Sequence, residues 1–324
     1  GRSLRLPWSI ESAVNETERQ LLTEWFRVEQ GWSDVDSFRR ISEGHSREMV
    51  VASSSTGERA VVRIEQGGVF GTDGRVERRL MTALRASGSP VAAIIGADDT
   101  GDVIGRRFFV MEHVDHVPNA PSPVDDFIAQ LHRIHGLDAP ALRDVWGQSA
   151  PSTAREATIL QVHRWRDVHR ESVDRPIERL EAVARWLEKN APDSSRLSVV
   201  HGDAGPDNFV HDGVRVTAIT DWEFGHLGDA MEDWVFCIQM RGSRALPKDE
   251  WFGRLRDVTG IEIGSDLWRY WEVFNYFKGS CANLTCRRLY ASGTNPAPNM
   301  AIVGTAVHRV FLRQLVELGV TGDR

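Results

Sequence analysis

Between residues 197 and 220 a β-patterned island interrupts a C-terminal region otherwise patterned for helices, and that interruption limits the folds open to the chain. Residues 197–200 are apolar and β-branched, and segments 209–211 and 214–220 flank Asp212-Gly213, a hairpin turn signal. Helical spacing surrounds the island. Phe127, Ile128, Leu131 and Ile134 share a face within 125–135. Ile177, Leu180, Val183, Ala184 and Leu187 do so within 177–188, with Pro176 at a first-turn position, and long helices are predicted in 228–240, 266–288 and 300–318. The N-terminal region has another texture. A helix within 9–30 precedes strands at 38–41, 48–52 and 59–65, a helix at 75–86, and strands at 90–96 and 106–114. These patterns predict an α+β chain in two lobes: a small antiparallel-sheet lobe over 1–114, with an N-terminal helix, and a larger, mostly helical lobe over 115–324. The proline-rich stretch 117–123 marks the change.

The island carries the chemistry. It contains HGDAGPDN at 201–208 and ITDWE at 219–223. Asp203 follows a strand and sits in a loop, where a carboxylate can take a proton from an incoming hydroxyl. Asn208 supplies a neutral oxygen, and the hairpin returns Asp221 beside it with a charged one. Hard oxygen ligands of this kind, together with the phosphates of ATP, suit Mg²⁺. Phosphoryl transfer requires an aligned nucleophile and neutralised phosphates, and Asp203, Asn208 and Asp221 divide the work in that way.

Other readings use the same residues. Asp, Asn and Gly are ordinary turn formers, so each position taken singly fits plain loop chemistry. A metal-dependent hydrolase would use His201, His211 and His226 with Asp203 and Asp221, although no HxH or HExxH spacing supports it, and His201 reads better as a scaffold that hydrogen-bonds the loop backbone. A non-catalytic nucleotide-binding module would be expected to lack one of Asp203, Asn208 or Asp221, and all three are present. Net charge is −7, so the whole chain has no electrostatic reason to seek nucleic acid or anionic membrane. The cysteines are Cys237, Cys281 and Cys286, with no CxxC pair, which fits a reducing cytoplasm. No leader is visible in the sequence, and no apolar run approaches the ~18 residues that would span a bilayer.

HGDAGPDN followed by DWE resembles the aminoglycoside phosphotransferase/choline kinase superfamily, a branch of the protein-kinase-like fold. The finer likeness is to bacterial phosphotransferases similar to the kinase domain of acyl-CoA dehydrogenase 10. It rests on residues 186–192, DWEFGHLGDAMEDW at 221–234 and RYWEVFNYFK at 269–278. The resemblance implies a small-molecule kinase that uses ATP and Mg²⁺, with Asp203 catalytic and Asn208 and Asp221 holding metal. It also implies nucleotide-binding roles in the N-terminal lobe. SEGHSRE at 42–48, with Gly44 and Ser46, takes the place of the loop over the phosphates. Arg63 stands where kinases place a phosphate-binding Lys, a departure that keeps the charge and adds a planar fork. Glu77 matches the acidic partner of that basic residue. Met111, Glu112 and Val114 fall on the hinge strand whose backbone would read adenine.

The partner expected is a small hydroxylated acceptor, with no nucleic acid or membrane. Arg164, Trp165, Tyr270, Phe274, Lys278 and Arg287 are candidates to line its site, and their basic lean favours a hydroxy acid or hydroxyacyl thioester over a cationic aminoglycoside. The acidic GDAMEDW segment at 228–234 reads as structural, capping a helix and pairing with scaffold bases.

Overall fold

A computed structural model describes residues 14–42, 47–65, 70, 72–118, 120–147, 150–194 and 196–320. Gly44 and Ser46 lie outside the described residues. The chain forms two compact units, 1–68 with 92–113, and 69–91 with 114–324, so it crosses between them three times. The segment 69–91 therefore groups with the helical unit and not with the sheet.

Among its described residues the first unit is a five-stranded antiparallel sheet with one helix. Its elements are α1 (Glu16–Glu29), β1 (Ser37–Ser42), β2 (Arg47–Ser53), β3 (Arg59–Glu65), β4 (Ile94–Asp98) and β5 (Phe108–Glu112), with strand order β1-β2-β3-β5-β4. Asn15 and Glu18 close a reciprocal capping box at the start of α1, satisfying two backbone donors that a helix N-terminus otherwise leaves open. The helix buries Leu22, Trp25 and Phe26 in a core with Val50, Val62, Ile64, Phe108 and Val110. Arg106 ties helix to sheet, donating to Glu18 at 2.7 Å and to Glu48 at 2.9 Å. The strand expected at 90–96 begins only at Ile94. Pro90 has no N–H to give a ladder, and Ala93 N–H is taken by the Glu112 carboxylate at 2.9 Å.

The second unit contains α2 (Gly74–Ala86), α3 (Val124–His135), α4 (Ala154–Glu171), α5 (Glu178–Lys189), the strands β6 (Ser198–Val200), β7 (Phe209–His211), β8 (Val216–Ile219) and β9 (His226–Gly228), then α6 (Met231–Phe236), α7 (Lys248–Thr259), α8 (Ser265–Ala291), α9 (Pro298–Ile302) and α10 (His308–Glu317). The 27-residue α8 is its spine and packs against α4, α5, α6 and α10. Trp271, Phe274 and Phe277 of α8 are fully buried with Trp165, Leu180 and Leu187. Helix 228–240 is shorter than its sequence pattern, because Gly228 pairs with Ser198 in a strand and residues Cys237–Arg241 open into a π-turn. A second π-turn, Val303–Val307, divides the helix expected at 300–318. No helix among the described residues is long and apolar enough to cross a membrane.

Candidate active site

Two short antiparallel pairs hold the HGD loop within the second unit. β6 pairs with β9, and β7 pairs with β8 across the Asp212-Gly213 turn. The Asp212 carboxylate closes that turn by accepting from the N–H groups of Val214 and Arg215, each at 2.8 Å. The loop between β6 and β7 carries His201, Gly202, Asp203 and Asn208, and β8 runs directly into Thr220 and Asp221. Gly202 has φ +81°, and a Cβ there would meet the Phe224 carbonyl oxygen at 2.7 Å, so the turn before Asp203 admits only glycine.

Each histidine of the motif region has a scaffold partner. His201 is fully buried; its Nδ1 accepts from the Asp203 N–H, so its Nε2 donates to the Thr220 carbonyl at 2.8 Å. His211 Nδ1 accepts from Gly213 N–H, and His226 bridges the Phe224 carbonyl and Glu232. Among the described residues no three His, Cys, Asp or Glu side chains converge as a metal-holding group, so the histidine-rich hydrolase arrangement does not form.

Asp203 and Asn208 are hydrogen-bonded, and the β7–β8 hairpin returns the chain to Asp221. Asn208 Nδ2 donates to the Asp203 carbonyl at 2.7 Å and to its carboxylate at 2.9 Å, which leaves the amide oxygen as the side of Asn208 turned away from Asp203. Thr220 N–H donates to the Asn208 carbonyl at 2.9 Å, joining the loop to the residue before Asp221. Asp221 occupies the left-handed region at φ 64°, ψ 57°, a conformation that costs a non-glycine residue free energy and concentrates at functional sites. An amide oxygen and a carboxylate are the donor set Mg²⁺ uses when substrate phosphates complete its shell, in place of an all-protein cage.

Behind the loop, Asp233 is fully buried and makes three contacts. Its Oδ2 accepts from His201 N–H at 2.8 Å and meets His135 Nε2 at 2.9 Å, and its Oδ1 accepts from Gly202 N–H at 2.8 Å. Burial pushes its carboxyl up, but the His135 hydrogen bond and charge, with His201, outweigh that and hold it below the usual aspartate range. Glu232 is buried beside Lys278 at 3.1 Å, and Lys278 also donates to the Gly202 carbonyl under the rings of Trp165, Phe224 and Phe236. Burial again raises Glu232, and Lys278 and His226 bring it below its ordinary value. The acidic segment is thus structural, as its sequence suggested. Breaking this pair from one side leaves the buried Glu232 charge with His226 and no lysine, so Lys278→Met is expected to cost roughly 3–5 kcal/mol, and Lys278→Met with Glu232→Met to recover part of it. Urea denaturation of the two variants measures this; a single-variant loss below about 1 kcal/mol would show the pair to be solvated.

Of the residues offered for the acceptor side, Trp165, Tyr270 and Phe274 lie in the core, so their helical spacing reports packing. Lys278 is spent on Glu232 and Gly202. The cation that touches Asp203 is one the sequence reading missed: Arg241 Nη2 donates to both carboxylate oxygens, at 2.9 and 2.6 Å. No spacing signal marks it, because it reaches the loop from the end of a π-turn 38 residues away. In the first unit, Arg63 is buried on β3 opposite Met49 and Phe109, with Nη1 against Met49 Sδ at 3.2 Å. Met111 and Glu112 end β5, Val114 begins the next stretch of the second unit, and Glu77 is buried in the first turn of α2.

The sequence pattern of the phosphotransferase enzyme family matches residues 37–277, from β1 into α8. The chain belongs to that family. It is 28% identical over 224 residues to acyl-CoA dehydrogenase family member 10 of Mus musculus, covering 64% of this chain and 20% of the relative, so it spans only a fifth of that protein's length. Choline kinase from Streptococcus pneumoniae superposes with a TM-score of 0.66 at 13% identity, over 92% of this chain and 99% of that one. A spectinomycin phosphotransferase, solved with ADP and spectinomycin, superposes with a TM-score of 0.64 at 13% identity, over 94% and 98% of the two chains. The fold of this family member is therefore the protein-kinase-like one, α+β, with a small antiparallel sheet and a larger helical part.

Proposed function

We propose that this family member is an ATP-dependent O-phosphotransferase acting on a hydroxyl of a small molecule. What supports the reading is the hydrogen bond from Asn208 to the Asp203 carboxylate, on a loop that the β7–β8 hairpin joins to Asp221. In the step proposed, the acceptor O–H breaks and its proton goes to Asp203. The freed oxygen bonds the γ-phosphorus, and the bond from that phosphorus to the bridging oxygen breaks, its electron pair leaving on ADP. Asn208 keeps Asp203 aimed and, with Asp221, would hold Mg²⁺, which when bound neutralises phosphate charge. We assign Arg63, Glu77, Met111, Glu112 and Val114 to the nucleotide, together with Gly44 and Ser46. A hydroxy acid or hydroxyacyl thioester is the acceptor we favour, on the likeness to acyl-CoA dehydrogenase family member 10; an aminoglycoside is the competing acceptor.

Incubation with ATP, Mg²⁺ and a mixed alcohol library, read by mass, should show one acceptor gaining a phosphoryl group. Nucleotide binding with no acceptor phosphorylated would favour a non-catalytic binding module. Asp221→Ala should demand more Mg²⁺ for half-maximal turnover than Asn208→Ala, because it loses a full charge and not a dipole. A Mg²⁺ titration of ATP turnover checks this, and an unchanged profile in Asp221→Ala would move the metal elsewhere.

A further inference from the structure

Arg241 is built into the loop more tightly than a surface arginine. A Cβ added at Gly205 would lie 2.4 Å from Arg241 Cβ, so the glycine of the HGDAGP turn is what lets this side chain lie against the loop. The next residue is anchored too: Trp251 Nε1 donates to the Gly242 carbonyl at 2.9 Å. The side chain is 31% exposed, so the guanidinium stays open to an incoming molecule. Its contact with Asp203 uses one nitrogen, Nη2, and its Nη1 contact with Asp207 is long at 3.5 Å. An arginine has five N–H donors in a planar fork suited to a carboxylate or phosphate, and here the short bonds come from Nη2 while Nη1 comes no closer than 3.5 Å to Asp207. Burial opposes its charge, but Asp203, by charge and hydrogen bond, with Asp207 and Asp221, holds its pKa up.

The same contact obstructs the chemistry. Oδ2 of Asp203 already receives Asn208 and Arg241, and Oδ1 receives Arg241. A base clamped on both oxygens by a cation accepts a hydroxyl proton poorly, and exchange of Arg241 onto another anion would release it. We propose that Arg241 is the acceptor's specificity residue: it leaves Asp203 for a carboxylate or phosphate carried by the acceptor, placing the acceptor's hydroxyl against the freed Asp203 oxygens. The proposal rests on the reading of Asp203 as the base. It excludes polycationic acceptors, which cannot draw the guanidinium away.

The test pairs acceptors that differ in charge alone. Hydroxy acids and their primary amides, with an aminoglycoside for comparison, are assayed with ATP and Mg²⁺ against the unmodified chain, Arg241→Gln, Arg241→Lys and Arg244→Gln. A charge-assisted hydrogen bond corresponds to roughly 10- to 100-fold in affinity. Arg241→Gln should raise KM for the hydroxy acids by about that factor and leave KM for the amides within about two-fold. Arg241→Lys should recover part of the loss, and Arg244→Gln, which changes only a contact to Asp207, should behave as the unmodified chain. Thermal denaturation separates misfolding of Arg241→Gln from loss of binding, with Arg241→Lys the fallback variant. Equal losses on acids and amides would overturn the proposal, leaving Arg241 as a positioning residue for Asp203. So would turnover of amides or aminoglycosides without turnover of any acid, the kinase reading standing. Full ATP turnover in Asp203→Asn would instead remove the base on which the proposal rests, and absence of turnover on every acceptor counts against both the proposal and the kinase reading.

Discussion

Asp203→Asn is expected to lower turnover on the order of 10²–10⁴-fold while nucleotide binding stays near that of the unmodified chain, because on the proposed mechanism the change removes a proton acceptor and keeps its shape. Asn at this position still accepts from Arg241 and Asn208 through its one oxygen, so the loop retains part of its hydrogen bonding. Steady-state kinetics beside a nucleotide-binding titration measures the separation. Full activity in the variant would remove Asp203 from the mechanism. A parallel loss of nucleotide binding would mean that the substitution had disturbed the loop and not the proton transfer.

Asp233→Asn is expected to weaken folding and turnover together. The two oxygens of Asp233 accept two buried backbone N–H groups and face His135, and an amide offers one oxygen where the carboxylate offers two. At least one buried N–H, of His201 or Gly202, is then left without an acceptor. The cost is about 2–4 kcal/mol, from the unsatisfied donor and the lost charge-assisted bonds. Because those N–H groups immediately precede Asp203, a shift of the loop should also cut turnover by about 10²-fold. The pH dependence carries a sign. The folded Asp233 carboxyl lies below its ordinary value, so its stabilisation is fully present above the unfolded aspartate pKa of about 3.9. It is lost as pH falls through the lower, folded value. Asp233→Asn should therefore flatten the acid limb of the stability curve below about pH 4. Urea midpoints across pH 3–7 check this; an acid limb unchanged in the variant would assign it to other carboxylates.

The strands 38–41, 48–52 and 59–65 were legible because one face alternates into the core and three of them lie next to one another in both sequence and space. The hairpin at Asp212-Gly213 was legible because its turn chemistry is local. Strand β6 was read at 197–200, and its partner β9 was harder. Each has three residues, and their pairing joins Ser198 to Gly228 across the whole site, so part of what reads as helix 228–240 is strand. Helices α4 and α7 carried weak patterns, since the buried face of α4 includes the polar Thr158 and His169 and α7 buries only Trp251 and Leu255.

By itself the sequence determined the local course of the HGD loop and its hairpin. Asp203, Asn208 and Asp221 lie within nineteen positions of one another, and the Gly, Pro and Asp-Gly turns between them leave few ways to fold that stretch. The tertiary structure decided which charges serve the loop and which serve the core. Lys278 read as an acceptor ligand and proved to be paired with Glu232, and Arg241 carried no signal and proved to hold Asp203. The physical reason is range. Turn chemistry acts over two to five residues and is written in their order, whereas an ion pair is set by which helix faces pack together, and residues 203 and 241 meet only after α6 and its π-turn have docked on the loop.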